Sequence, residues 1–164
     1  MRVGVECLPE RFRSVVSVLV SKLLEFFNGR LVSVVVFGSV ARGDFRVDSD
    51  LDVLIVVEGL PRSRLKRQDL FMEVESRVFS VLGFQVEFSP ILKTPSEAER
   101  FSPLYLDMVE DAVIVYDRDD FFKSVLERLS EKLKSLGAKR VFLGKKWYWI
   151  LKENCRFGEV ITIE

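Results

Sequence analysis

Asp50 and Asp52 stand two residues apart at the head of an apolar run. On a strand, that spacing puts both carboxylates on one face and Leu51 and Val53 on the other. Like charges so close repel. A hard divalent cation between them, Mg²⁺ or Mn²⁺, makes such a pair tolerable. Upstream, Phe37-Gly38-Ser39 closes another apolar run. Glycine lets the backbone turn tightly there. Ser39 then offers a hydroxyl and free N–H groups where a helix would begin, a setting that suits a phosphate. Glu87 is a third acid, flanked by Val86 and Phe88. On an alternating strand it faces away from those two, and if its strand neighbours that of Asp52 the three carboxylates make a metal site. Arg42 is either a triphosphate contact or the ion-pair partner of Asp44 or Asp48. Asp44 reads as a loop stabiliser rather than a metal ligand.

The elements that must position these residues are legible from periodicity. Residues 10–27 read as a helix, with Phe12, Val15, Val16, Leu19, Val20, Leu23, Leu24 and Phe27 on one buried face. Pro9 opens it and Asn28-Gly29 stops it. Residues 31–37 and 51–57 are short continuous apolar runs, the pattern of buried strands. Residues 38–49 read as a loop, or a short helix and loop. Residues 63–82 read as a helix with Leu65, Phe71, Val74, Val78, Val81 and Leu82 inward, ended by Gly83. Residues 84–92 alternate and predict a third strand. Two short helical pieces follow from Pro95 and Pro103, then a strand at 112–116. A helix near 119–136 carries Phe122, Val125, Leu126, Leu129 and Leu133 inward, with Gly137 as its cap. One or two strands occupy 139–151. The order fits a single α/β (α+β) domain over 1–164, a mixed sheet flanked by helices, with a catalytic core at about 10–92 and a C-terminal extension at about 96–164.

Composition narrows the chemistry. The 164 residues carry 25 basic and 25 acidic side chains, so no uniformly basic nucleic-acid coat exists and nucleic acid is not indicated by net charge. There is no histidine, which removes histidine bases, Ser-His-Asp triads and His-ligated zinc. Cys7 and Cys155 form no CxxC and read as structural thiols, so the expected compartment is the cytoplasm. No apolar stretch predicts a signal peptide or a membrane span. Scarce Asn and Gln beside 30% charged residues resemble heat adaptation.

The string GSVARGD, followed by SDLDVLIV, places ten residues between Ser39 and Asp50. This pattern resembles the DNA polymerase beta-like nucleotidyltransferase superfamily, and within it the minimal branch of archaea and bacteria. The resemblance is strongest over 31–58 and extends to about 92. The stretches SPLYLDMVEDAVIVYDRDDFF and RVFLGKKWYWILK also resemble archaeal members. It implies the nucleotidyltransferase fold and transfer of NMP from an NTP, chiefly ATP, to an acceptor hydroxyl with release of pyrophosphate. It implies that Gly38 and Ser39 hold the β and γ phosphates, and that Asp50, Asp52 and a third acid, here Glu87, bind two Mg²⁺ or Mn²⁺ ions. The family's third acid is usually Asp, so Glu87 departs from the pattern. Many minimal members resemble antitoxins that modify a HEPN toxin, an all-helical RNase, which favours a partner protein as acceptor over a small molecule or an RNA end. The alternative is a non-catalytic nucleotide- or partner-binding module on the same fold. Too few residues remain for polymerase fingers or thumb.

Three further features stand apart. Arg62, Arg64, Lys66 and Arg67 read as a solvated helix face, or as a contact for an acidic partner or nucleic acid. Lys139, Arg140, Lys145 and Lys146 beside Trp147, Tyr148 and Trp149 read as core aromatics, or as a stacking surface for bases. Zero net charge and an exposed aromatic patch leave homo-oligomer formation open.

Overall fold

The computed structural model describes residues 1–144, 146–153 and 162–163. Lys145 and Cys155 lie outside the described residues. A mixed five-stranded sheet, in the order β1-β5-β2-β3-β4, forms the centre. Strands β2 (Leu31–Val36) and β3 (Leu51–Val57) are antiparallel neighbours, while β4 (Phe88–Lys93) runs parallel to β3 at one edge. On the other side, β5 (Val113–Asp117) pairs antiparallel with β2 and parallel with the two-residue β1 (Arg2–Val3). The sheet thus draws β5 from beyond residue 92 into the same layer as the strands around the acids.

The continuous apolar runs are central strands covered on both faces, as their composition demands. Alternation divides their side chains between two cores. Val34, Val36, Leu51, Val53 and Ile55 pack with α1 (Glu10–Phe27) and α3 (Arg64–Leu82). Val35, Leu54 and Val56 pack on the opposite face with α5 (Leu104–Asp111) and α6 (Phe121–Leu136). Asp52 has the parity of Leu54, so it belongs to the α5–α6 face.

The helix at 10–27 is present with the expected bounds, ending at Asn28 in the left-handed region. The α3 stripe differs from the expected one. Leu65 is 79% and Val81 56% exposed, and the buried positions are Arg67, Phe71, Val74 and Val78. Arg67 buries because its charge is matched: the guanidinium forms a two-pronged bond to Glu97, at 2.6 and 2.9 Å, and donates to the carbonyls of Pro61 and Leu92. Glu97 lies in α4 (Pro95–Ala98) and closes its capping box with Thr94.

Strand β4 starts at Phe88, not at 84. After α6, β6 (Lys139–Leu143) and β7 (Lys146–Ile150) form an antiparallel hairpin outside the main sheet. Its alternation puts Arg140, Phe142, Trp147 and Trp149 on one face. Both indole N–H groups on that face donate to Asp107 Oδ1 of α5 at 2.9 Å. Arg140 pairs with Asp111 at 2.5 and 3.2 Å. These two tryptophans therefore bond to the domain, while Tyr148, 48% exposed, and Phe142, 59% exposed, are the open aromatics among the described residues of the hairpin. Among the described residues no helix is long and apolar enough to cross a membrane.

Candidate active site

Strand β2 ends at Val36, and α2 (Gly38–Arg42) follows after Phe37. Phe37 still belongs to the sheet, donating its N–H to the Asp52 carbonyl at 3.1 Å. The chain then turns at Gly38, whose φ of 70° lies in the left-handed region. A β-carbon built there would stand 2.0 Å from Asp52 Oδ2 and 2.9 Å from its Cγ. Any β-carbon there would have to displace the Asp52 carboxylate, on a backbone conformation that L side chains rarely adopt. The expected proximity of the Gly38-Ser39 turn to Asp52 is thus realised by contact. Ser39 is half-buried beside it, and its carbonyl accepts the N–H groups of Gly43 and Asp44, closing the turn. Arg2 pins this turn from β1 by donating to the Ala41 carbonyl.

Asp52 lies in β3 with Ser89 of β4 as its register partner. Burial pushes its carboxyl above the ordinary value, and the charge of Asp50 pushes the same way. A hydrogen bond from Ser89 and the charge of Arg42 work against that rise. Asp50 is exposed, immediately before the strand. The pair is therefore an undercompensated negative centre. Hard oxygen donors at an open strand end, in a chain without histidine and with no thiol beside them among the described residues, fit Mg²⁺ or Mn²⁺ rather than a softer metal.

Glu87 is placed differently from the expected strand geometry. Its carbonyl accepts the Leu51 N–H at 2.8 Å, so its backbone adjoins the start of β3. Its side chain precedes β4, is exposed, and lines a cleft with Arg11, Asp48 and Ser49. Among the described residues no three His, Cys, Asp or Glu side chains gather to hold a metal. The expected three-carboxylate cluster is thus not formed. The reason is local: the pleat that would aim Glu87 at Asp52 begins one residue later.

Of the two roles open to it, Arg42 shows the ion pair with Asp44. Its Nε donates to Asp44 at 3.2 Å, and its charge reaches Asp52. The guanidinium also lies 4.7 Å from the centroid of the Trp147 ring. Asp44 is held by that pair, in keeping with a loop-stabilising role. Two residues of this centre were not singled out as such in the sequence. Ser89 was legible as the alternation partner two residues beyond Glu87. The meeting of Trp147 with Arg42 spans about a hundred residues of chain and left no local signal.

Comparison with known proteins gives a consistent picture. Residues 18–116 match the family model described as "Nucleotidyltransferase domain". MJ1305 of Methanocaldococcus jannaschii, provisionally named a protein adenylyltransferase, is 30% identical over 130 residues, covering 78% of this chain and 86% of that protein. The protein adenylyltransferase MntA of Thermococcus cleftensis is 36% identical over 78 residues, covering 48% of this chain and 72% of its own length. Among solved structures, a toxin–antitoxin crystal structure with AMP-PNP shares 15% identity at a TM-score of 0.45, covering 73% of this chain and 90% of that one.

Proposed function

Because the chain belongs to the nucleotidyltransferase family, we propose that it transfers NMP, chiefly AMP from ATP, to a hydroxyl of a partner protein. The names of the relatives in Methanocaldococcus and Thermococcus support a protein acceptor. A HEPN toxin is the partner that the sequence pattern favours. The observation that carries the site assignment is the seating of the Asp52 carboxylate against the Gly38 backbone.

In this reading the turn at Gly38 and Ser39 holds the terminal phosphates, and Arg42 adds a positive charge beside them. Asp50 and Asp52 hold a divalent cation, Mg²⁺ or Mn²⁺, which supplies charge to the transferring phosphoryl group and to its leaving oxygen. Glu87, exposed and with its backbone bonded to the start of β3, would be the third acid in the proposal. The acceptor oxygen forms a bond to the α-phosphorus as the bond to the pyrophosphate oxygen breaks. The hydroxyl proton leaves with solvent or a site carboxylate. The protein contributes position and charge.

Incubation with α-labelled ATP, Mg²⁺ and an extract of the source cells tests the reading. Label should appear on a protein with the native chain and vanish with Asp52→Asn. Labelling of equal strength by Asp52→Asn would refute the assignment.

A further inference from the structure

At the far end of β4 from the acids lies a second charged feature. A cleft of about 660 Å³ runs between the first turn of α3 and the C-terminal half of β4. Arg62, Arg64, Arg67, Lys93 and Arg100 line it, against the single carboxylate of Glu97. Glu97 is committed to Arg67. Among the described residues, none of the other four cations has a carboxylate within 4.0 Å. This excess stands on a chain whose formal net charge is zero.

Two energetic costs make the arrangement uneconomic for a solvated face. The first turn of α3 contains no acidic residue, and Arg64, Lys66 and Arg67 crowd the positive end of that helix. Lys93 is half-buried, and among the described residues its ammonium contacts the Tyr105 hydroxyl, at 2.9 Å, and the Tyr105 ring, with the charge of Glu97 felt from beyond ion-pair distance. An anion in the cleft relieves both costs.

The character of the anion follows from the rest of the lining. Among the described residues no exposed aromatic ring lines the cleft, so nucleic-acid bases find no stacking platform there. The floor is apolar, formed by Pro90, Ile91 and Leu92, which a phosphate backbone does not use. Strand addition to the β4 edge is also blunted. Pro90 has no N–H to give, and the Leu92 carbonyl is taken by Arg67 at 3.0 Å. Recognition falls to side chains: guanidinium forks for carboxylates around an apolar floor. We propose that this cleft docks an acidic segment of a partner protein, one with an apolar residue between carboxylates. Lys93 of the cleft lies four residues along β4 from Ser89, the register partner of Asp52, roughly 13 Å at the usual rise per residue, and docking there is read apart from the transfer reaction.

Fluorescence anisotropy with a short labelled peptide of alternating Glu and Leu tests this, with an oligouridine as the competing probe. The peptide should bind the full chain, and binding should weaken by about tenfold or more in Arg62→Glu/Arg64→Glu and in Arg100→Glu, as expected for charge reversal at rim contacts. Replacing Leu by Ser in the peptide should also weaken it. All three residues are exposed, so the fold should persist, and nucleotide binding at the acids should be unchanged. Absence of peptide binding, equal binding by the variants, indifference to the Leu-to-Ser change, or tighter binding of the oligouridine would each overturn the proposal.

Discussion

Asp52 Oδ2 lies 2.0 Å from the place where a β-carbon would stand on Gly38. Two segments separated in the chain are thereby locked in register: the turn that offers N–H groups and the strand that offers carboxylates. Gly38→Ala tests the lock. Alanine at a φ of 70° is strained, and its methyl group must displace the carboxylate. The expected cost is about 1–3 kcal/mol of stability, read by chemical denaturation. A loss of nucleotide affinity of about tenfold or more should accompany it. A variant of native stability and affinity would show that the contact is unimportant.

Asp52 should be a residue whose removal stabilises the free protein. Burial and Asp50 raise its carboxyl above the ordinary value, so the folded state binds that proton more tightly than the unfolded chain. This favours folding at low pH, and the advantage is lost as pH rises through the carboxylate range, leaving a cost at neutrality. Asp52→Asn removes the cost. Its melting temperature at neutral pH should rise by roughly 1–3 °C in the absence of metal, while Mg²⁺ with nucleotide should stabilise only the native chain. Differential scanning fluorimetry reads both effects.

The Arg67–Glu97 pair should shape the acid limb of stability. Its two-pronged bond lowers the Glu97 carboxyl from 4.5 to about 2. A depressed acid contributes stability that is full above its unfolded value and is lost as pH falls through the folded one. The loss therefore belongs between about pH 4.5 and 2. Glu97→Gln should be less stable than the native chain at neutral pH and should converge with it toward pH 2. Since the Glu97 side chain is 41% exposed, the effect is that of a partly screened pair.

Trp147 should act on nucleotide affinity through Arg42. With the guanidinium 4.7 Å from the ring centroid, Trp147→Ala releases Arg42 to solvent. The KM for NTP should rise by about 3- to 10-fold, the worth of one such contact, with kcat changing less. Trp147→Phe should recover most of the difference. An equal fall in kcat with unchanged KM would point to a different role.

What the sequence disclosed depended on whether the signal was local. The bounds of α1 and β3 follow from unbroken apolar patterning, and Gly38-Ser39 and Asp50-Leu51-Asp52, each ordinary alone, are informative jointly, at a spacing that resembles the nucleotidyltransferase pattern. In sequence Arg67 reads as part of a solvated or partner-facing basic run, because its charge outweighs its position, and the structure buries it. It stands four residues before Phe71 on the stripe that continues to Val74 and Val78, and its burial rests on the distant Glu97 together with the Pro61 and Leu92 carbonyls. Leu65 and Val81 were expected inward for the opposite reason: apolar character without the right phase. The placement of β5 beside β2 and the seating of Trp147 on Arg42 are long-range pairings, which periodicity cannot report. Glu87 turned on a single residue of strand start, finer than alternation resolves.

The most direct test of the two-acid centre is titration of a non-hydrolysable ATP analogue into the native chain and into Asp50→Asn/Asp52→Asn, each with and without Mn²⁺. The native chain should bind the analogue at least about tenfold more tightly with Mn²⁺, and the double variant should lose that increment while keeping its fold. Nucleotide affinity indifferent to Mn²⁺ in the native chain, or an undiminished metal effect in the double variant, would contradict a metal site at these two aspartates.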